Sequence, residues 1–247
     1  MTRLALLSDL HANRHALEAA WADLERQSPD AVYCLGDLVG YGAFPNEVVA
    51  LVRDHAIPTV MGNYDDGVGF DRDECGCAYR TADERARGDV SLRWTRARTA
   101  PENKAFLRSL APSLRLDLAG RRVLLVHGSP RRMNEYLYED RPAESFRRLA
   151  DLAQADVVVF GHTHIPYARL VDGTLFVNAG SVGKPHDGDR RACYAVIEDD
   201  EPARVVFRRV EYDVAAAAEA VRSVGLPPEF ADILERGWPA AAAGGVS

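Results

Sequence analysis

The ten residues LALLSDLHAN, positions 4–13, join a short apolar run to a polar turn that carries Asp9 and His11. An apolar run of this length, bounded by turn residues, indicates a buried strand. Asn13 suits the capping position of a helix, and the spacing of the apolar residues that follow predicts that helix over 14–27. The stretch therefore predicts a strand and a helix joined by a turn that holds two candidate metal ligands.

The same alternation continues along the chain. Further strands are predicted over 31–35 and 57–61, and Pro45 suits the first position of a second helix. The beginning of the chain then follows the order β-α-β-α-β, which favours parallel strands covered by helices. Later in the chain strands dominate, with one helix predicted over 142–153 and strands over 114–118, 122–126, 157–160, 167–170, 175–177, 193–197 and 204–210.

Residues 64–100 break this pattern, because charged residues and glycines dominate them. We interpret the segment as an inserted lid that is partly helical near 82–96. A solvated loop without a role is the alternative. The segment holds Cys75 and Cys77, which we expect to pack there because their spacing is not a usual zinc motif.

The end of the chain returns to a helical pattern. Helices over 214–224 and 228–236 are predicted to form a C-terminal extension of about residues 213–237, and 240–247 is expected to be a frayed tail. No repeat is visible, and no linker rich in proline, glycine or serine divides the chain. We therefore predict a single α/β domain over 1–247.

The composition is that of an ordinary globular protein. Of the 247 residues, 47% are hydrophobic, and 30 basic against 37 acidic residues leave a net charge of −7. This charge argues against a protein that coats nucleic acid, although a small phosphate compound needs only local positive charge. No apolar run approaches the ~18–20 residues of a membrane span, and no signal peptide is expected. With only four cysteines, we expect a reduced, cytoplasmic protein without a membrane or extended nucleic acid as partner; the oligomeric state is not predicted.

Five of the predicted strands end directly before residues that can bind a metal ion. The carboxyl ends of strands in an α/β sheet meet at one edge, so we expect these residues to converge. Neighbouring glycines permit the tight turns and close backbone approach that such a cluster needs. In chain order the candidate ligands are Asp9 and His11, Asp37 after Gly36, Asn63 after Gly62, His127, and His162 with His164 after Gly161.

This set of ligands has a chemical meaning. Imidazole, carboxylate and amide donors without thiolate suit Mn, Fe, Zn, Ni or Co, and we expect Mn first. Seven candidate ligands are too many for one ion, but they suit two divalent ions if one carboxylate bridges them. Two ions roughly 3.5–4 Å apart can activate a bridging hydroxide and clamp the oxygens of a phosphoryl group. The residues therefore predict a dinuclear metal-dependent phosphoester hydrolase whose nucleophile is the bridging hydroxide.

The motifs, in their order along the chain, resemble those of a known family. Asp9-x-His11, Gly36-Asp37, Gly62-Asn63, His127-Gly128 and Gly161-His162-x-His164 resemble the signature of the calcineurin-like metallophosphoesterases. The turn Asn178-Ala179-Gly180-Ser181-Val182-Gly183 resembles that of the small bacterial and archaeal phosphodiesterases of this family. The resemblance spans about residues 1–200 and implies a four-layer α/β/β/α sandwich.

The resemblance also implies an assignment of ligands and a substrate. One metal ion would be held by Asp9, His11, Asp37 and His164, and the other by Asp37, Asn63, His127 and His162. Asp37 would be the bridging carboxylate. The resemblance to the small subfamily favours a phosphodiester substrate. A phosphomonoester, on a protein or a small molecule, is the alternative, and a non-catalytic interaction scaffold of the same fold is a further one.

The chain departs from the family at one position. Much of the family has a histidine after the Gly-Asn pair, where this chain has Tyr64. A tyrosine with its ordinary pKa of ~10 is a poor general acid near neutral pH. Tyr64 therefore either positions the substrate or shields the metal ions, and Asp65 has no imidazole to orient. Loss of a proton donor favours substrates with good leaving groups, or proton delivery by water.

Outside the metal ligands the sequence offers further candidates for the site. The candidate catalytic residues are Asp37, Asn63, Tyr64, Asp65 and Arg131. The Arg131 guanidinium either binds a phosphate oxygen or belongs to a solvated surface pair with Arg132. Lys184 and His186 follow the 178–183 turn and are weaker candidates to face the cleft.

Overall fold

The computed structural model describes residues 2–200 and 203–238, so the predicted tail over 240–247 lies outside the described residues. Within them the elements, in chain order, are β1 (Arg3–Leu7), α1 (Arg14–Gln27), β2 (Ala31–Cys34), α2 (Pro45–Asp54), α3 (Asn63–Gly69), α4 (Ala82–Arg98), α5 (Pro101–Ser109), β3 (Leu114–Leu118), β4 (Arg121–Leu125), α6 (Ala143–Ala153), β5 (Val157–Phe160), β6 (Tyr167–Val171), β7 (Thr174–Asn178), β8 (Ala192–Glu198), β9 (Arg204–Val210), α7 (Val214–Ser223) and α8 (Pro228–Arg236). None of these helices combines the length and the hydropathy that crossing a bilayer requires.

The strands form two sheets. The first has the order β2-β1-β8-β9, and the second has the order β3-β4-β5-β7-β6. In the first sheet β1 runs parallel to β2, with Leu4 opposite Ala31 and Leu7 opposite Cys34, while β8 runs antiparallel to β1. In the second sheet β5 lies between β4 and β7 and runs parallel to both. The carboxyl ends of β1 and β2 therefore lie side by side, as do those of β4 and β5.

The alternation of side chains along the strands produces four layers. Leu4 and Leu6 of β1 face the second sheet and pack with Val157 and Val159 of β5. Leu7, on the opposite face of β1, contributes to the core beneath α1 and α2. The other residues of β5 pack against α6. Because β1 and β5 are covered on both faces, they are continuous apolar runs. The predicted α/β/β/α sandwich is confirmed.

Two elements differ from the prediction. Residues 57–61 do not form a regular strand: Val60 N–H donates to Cys34 O at 2.9 Å, and only isolated bridges to β2 and Ala111 form. Pro58 has no N–H to donate, which limits this ladder. Helix α5 was not predicted. The proline at its start was the only sequence signal for a helix here. The segment was missed because it lacks a continuous apolar stripe, with only Asn103 and Leu107 buried.

The segment predicted to be a lid contains two different kinds of structure. It begins with α3, whose Tyr64 and Val68 are buried in the core. Residues 70–81 follow without helix or strand, and α4 then covers the predicted helical part. The lid function and the single-domain organisation stay predictions. The predicted C-terminal pair of helices corresponds to α7 and α8, which pack against each other, with α7 also against α1.

Candidate metal centre

The backbone that carries the candidate ligands is strained. Asp9, His11, Asp37, His162 and His164 all have positive φ angles, at 52°, 46°, 52°, 67° and 61°. Residues other than glycine rarely adopt this left-handed conformation, and each costs of order 1 kcal/mol or more. The polar turns after β1, β2 and β5 therefore store strain in the residues that the sequence singles out. Such strain is concentrated at functional sites, where surrounding structure holds it in place.

The first group of converging ligands consists of Asp9, His11 and His164. The His11 and His164 Nε2 atoms are 3.1 Å apart, and Asp9 Oδ1 lies 3.3 Å from His164 Nε2. Asp9 and His11 come from the turn after β1, and His164 from the turn after β5. The two sheets thus meet at this point.

The second group consists of Asp37, His127 and His162, with Asn63 beside it. His127 Nε2 lies 3.0 Å from Asn63 Oδ1 and 3.1 Å from His162 Nδ1. Asp37 Oδ2 lies 3.5 Å from His127 Nε2 and 3.8 Å from His11 Nε2 of the first group. One oxygen of Asp37 therefore faces both groups.

The hydrogen bonds of the imidazoles fit a cation in the first group. His11 Nδ1 donates to Val39 O at 3.1 Å, and His164 Nδ1 donates to Lys184 O at 2.7 Å. Each Nε2 is then a bare lone pair, and two lone pairs 3.1 Å apart repel unless a cation lies against both. Asp9 Oδ1, buried beside them, has no hydrogen-bond donor among the described residues. These donors fit a borderline divalent ion such as Mn or Zn.

The protonation states also favour cation binding. Burial and the neighbouring histidines lower the pKa of His11 and of His162 to about 3, so both imidazoles are neutral. Burial would raise the pKa of Asp9, but His164 and other histidines hold it well below its ordinary value. Burial likewise opposes a charge on His127, yet Asp37 raises the pKa of His127 to about 10. Without a metal ion, a proton on His127 offsets the buried carboxylates, and a divalent ion would displace it.

The two carboxylates are held by their outer oxygens. Asp9 Oδ2 accepts from Ser8 Oγ at 2.6 Å and from His162 N–H at 3.0 Å. Asp37 Oδ1 accepts from Tyr64 N–H at 2.8 Å. The other oxygen of each carboxylate is left to face the two groups. Such fixation orients metal ligands before an ion binds.

At two positions the backbone lies so close to these carboxylates that only glycine fits. A Cβ on Gly62 would lie 2.2 Å from Asp37 Oδ1, and a Cβ on Gly161 would lie 2.4 Å from Asp9 Oδ2. No side chain fits at such distances. The Gly-Asp, Gly-Asn and Gly-His pairs in the sequence thus reflect how tightly the turns pack.

Asp65 acts on the backbone and not on the metal centre directly. Its Oδ2 accepts the N–H groups of Asp37 at 2.8 Å and Gly62 at 3.0 Å, and its Oδ1 accepts that of Leu38 at 2.9 Å. The carboxylate thereby ties the Asp37 turn to the start of α3. Asp65 is a positioning residue, which sequence reasoning could not recognise because its partners are backbone groups.

Tyr64 points away from the converging ligand atoms. Its ring is fully buried, 5.7 Å from the His11 ring, and its Oη donates to Ser91 Oγ at 3.4 Å. Burial raises the pKa of Tyr64 well above its ordinary value, so it does not release a proton near neutral pH. Both roles that the sequence left open for Tyr64 stay predictions.

Tyr64→Phe is expected to retain the hydrolytic activity that the sequence predicts within ~3-fold of wild type, because general acid catalysis by the lost hydroxyl would be worth ~10²-fold or more. The measurement is kcat and its pH profile with metal content monitored. A hundredfold loss of kcat at unchanged metal content contradicts this expectation. Tyr64→Ala is the matched variant for the ring, and we expect it to destabilise the fold by about 3–5 kcal/mol.

Arg131 contacts an acidic neighbour. Its Nε donates to Glu135 Oε2 at 3.2 Å and its Nη2 to Glu135 Oε1, while more than half of the side chain is exposed. Within the described residues no metal ligand contacts the guanidinium. The structure therefore does not bring Arg131 into the group of candidate metal ligands, and its side-chain partner is Glu135 and not Arg132.

Two residues contact the candidate ligands in ways that the sequence did not indicate. Cys77 Sγ accepts from Asn63 Nδ2 at 3.3 Å, which turns Asn63 Oδ1 toward His127. Cys75 Sγ lies 3.1 Å from Cys77 Sγ, so the pair packs together as expected but also contacts a candidate ligand. The Tyr136 ring lies 4.1 Å from the His162 ring. No local sequence signal distinguishes Tyr136 from other tyrosines.

Comparisons with known proteins agree with this geometry. A model of the Calcineurin-like phosphoesterase superfamily domain matches residues 2–201. An uncharacterized protein of Methanocaldococcus jannaschii is 33% identical over 242 residues, which cover 91% of this chain and 93% of that protein.

Solved structures show the same similarity. The crystal structure of a metallophosphoesterase from Sphaerobacter thermophilus is 32% identical with a TM-score of 0.76, covering 96% of this chain and 99% of that one. A hypothetical protein from Pyrococcus horikoshii OT3, 23% identical, shares the fold with a TM-score of 0.85, covering 97% and 100% of the two chains. The chain therefore belongs to the calcineurin-like phosphoesterase superfamily.

Proposed function

We propose that the protein is a phosphodiesterase that uses two divalent metal ions. The observation that carries this proposal is the position of Asp37, whose Oδ2 lies 3.8 Å from His11 Nε2 and 3.5 Å from His127 Nε2. One carboxylate oxygen thus reaches both groups of histidines. A shared carboxylate is the arrangement that two adjacent cations need.

Each ion would have its own ligands. Asp9, His11 and His164 would hold one, Asn63, His127 and His162 the other, and Asp37 both. When bound, two such ions supply a hydroxide at neutral pH and neutralise negative charge on phosphoryl oxygens. Manganese suits these nitrogen and oxygen donors, as do Fe, Zn, Ni and Co.

The chain itself contributes orientation and exclusion of water. Every candidate ligand is at most 6% exposed, so charges at the centre act in a medium of low polarity. Asp65 and Gly62 fix the Asp37 turn, and Cys77 fixes the amide of Asn63. Since Tyr64 points away, we propose that water protonates the leaving group, which favours diesters of acidic alcohols. The preference for a diester follows the 178–183 turn that resembles small phosphodiesterases.

The test uses bis-p-nitrophenyl phosphate as diester and p-nitrophenyl phosphate as monoester. Metal-stripped protein receives Mn, Fe, Ni, Zn or Mg singly, and turnover and bound metal are measured. We expect turnover only with added metal, two ions bound per chain, and a higher kcat/KM for the diester. Preference for the monoester would identify a phosphatase instead. Absence of both metal binding and turnover would contradict the proposal and favour a scaffold.

A further inference from the structure

One buried cation beside the metal centre has no role in the function proposed above. The chain contains 28 arginines but only two lysines, Lys104 and Lys184. Lys104 forms an ion pair with Asp71. Lys184 directly follows the 178–183 turn and is only 6% exposed. A lysine buried to this extent without function is uncommon, because an ammonium group loses its hydration there.

The contacts of the Lys184 ammonium group include no counterion. Its Nζ lies 3.1 Å from His186 Nε2 and 3.9 Å from the centroid of the Tyr41 ring. Over the described part of the chain, no carboxylate lies within ion-pair distance of Nζ.

The neighbours of the ammonium group do not neutralise its charge. The imidazole and the aromatic face that it contacts carry no full negative charge. The Asp9 and Asp37 carboxylates attract it only from a distance, and both are candidate metal ligands. A buried positive charge in such surroundings is unfavourable unless an anion completes them.

The ammonium group lies beside the first group of ligands. Lys184 O accepts the Nδ1 proton of His164 at 2.7 Å, and the His164 and His186 rings are 4.6 Å apart. The Tyr41 ring, on which Nζ sits, is 5.0 Å from the His11 ring. Both partners of the ammonium group therefore also contact a histidine of that group. An anion bound to a metal ion held by Asp9, His11 and His164 would come next to Lys184.

We infer that Lys184 binds a non-bridging oxygen of the substrate's phosphoryl group and holds the phosphomonoester product in the same way. The inference rests on the proposed function, because it places the phosphoryl group at the two clusters of histidines. Lysine suits this position better than arginine, since a compact ammonium group fits between Tyr41 and His186. The buried charge is then retained for binding an anion, and it costs stability when no anion is present.

The test compares Lys184→Met with Lys104→Met as the matched control, in protein loaded with Mn. Calorimetry measures the affinity for inorganic phosphate, and thermal unfolding is followed with and without phosphate. We expect Lys184→Met to bind phosphate about tenfold or more weakly, the effect of one charged hydrogen bond. Its Tm without phosphate should equal or exceed that of wild type. Lys184→Arg, which keeps the charge, should retain part of the affinity, and Lys104→Met all of it.

The outcomes separate this inference from the proposed function. Unchanged phosphate affinity in Lys184→Met overturns the inference, even if wild type hydrolyses diesters. A lower Tm without phosphate, together with unchanged affinity, assigns Lys184 a structural role and overturns it as well. Loss of affinity in a protein that hydrolyses neither ester supports the anion site and overturns the proposed function. If wild type hydrolyses the diester, and Lys184→Met loses both phosphate affinity and kcat/KM for the diester, the inference and the proposed function are both supported.

Discussion

Asp37→Asn is expected to abolish the proposed diester hydrolysis, with a loss of at least ~10³-fold, because each ion would supply several kcal/mol of charge stabilisation. The substitution preserves size and leaves Oδ1 to accept from Tyr64 N–H. It removes the negative charge that lies 3.5 Å from His127 Nε2 and 3.8 Å from His11 Nε2. Both cations would lose a ligand at once, which no other single substitution among the candidate ligands does.

The number of metal ions bound per chain tests whether Asp37 bridges two ions. We expect elemental analysis to find two ions per chain in wild type and fewer than one in Asp37→Asn. Asp23→Asn is the matched control, because Asp23 is also a buried carboxylate but accepts from Tyr194 and Arg208 far from the ligands. The control should lose stability and keep both ions. An Asp37→Asn protein with two ions and near-normal turnover would refute the bridging assignment.

The fold could largely be predicted because its strands carry their own signal. Buried strands such as β1 and β5 are short apolar runs that end at polar turns, and helix α1 has both a cap at Asn13 and a regular apolar spacing. The expected convergence at strand ends follows from the parallel pairing of β1 with β2 and of β4 with β5. Residues 57–61 were wrongly predicted to be a regular strand. An apolar run alone does not show whether a neighbouring strand forms a full set of backbone hydrogen bonds with it.

The positions of the candidate ligands could be predicted from the sequence. The side-chain orientations of the residues beside them could not. The structure brings the seven candidate ligands together, while the ions that they bind stay a prediction. Tyr64 adjoins Asn63 in sequence, yet its side chain points into the core because α3 turns it there. Asp65, Cys77 and Lys184 reach the centre through contacts between distant segments, which no local pattern records. A single sequence therefore identifies residues with metal chemistry more readily than the residues that position them.

Asp65→Ala is expected to destabilise the protein by about 4 kcal/mol, although Asp65 touches no metal ligand atom. The substitution leaves the N–H groups of Asp37, Leu38 and Gly62 buried without acceptors. Each unpaired buried donor costs about 1–3 kcal/mol. Asp37 has a left-handed backbone with φ 52°, and this strain persists only while surrounding bonds hold the turn. The turn should therefore relax, and the affinity for metal at both groups should fall with it.

The measurement pairs chemical denaturation of the metal-free protein with titration of Mn. Asp66→Ala is the matched control: it changes the same residue type one position along α3, where the Asp66 carboxylate meets Arg72 at the surface. A surface ion pair contributes about 0–1 kcal/mol, so this control should keep both its stability and its metal affinity. If Asp65→Ala loses no more stability than Asp66→Ala, the three hydrogen bonds do not hold the Asp37 turn. A loss of stability with unchanged Mn affinity would show that the Asp37 carboxylate finds its position without the Asp65 bonds, and that the strain at residue 37 is maintained by the close packing of Gly62 alone.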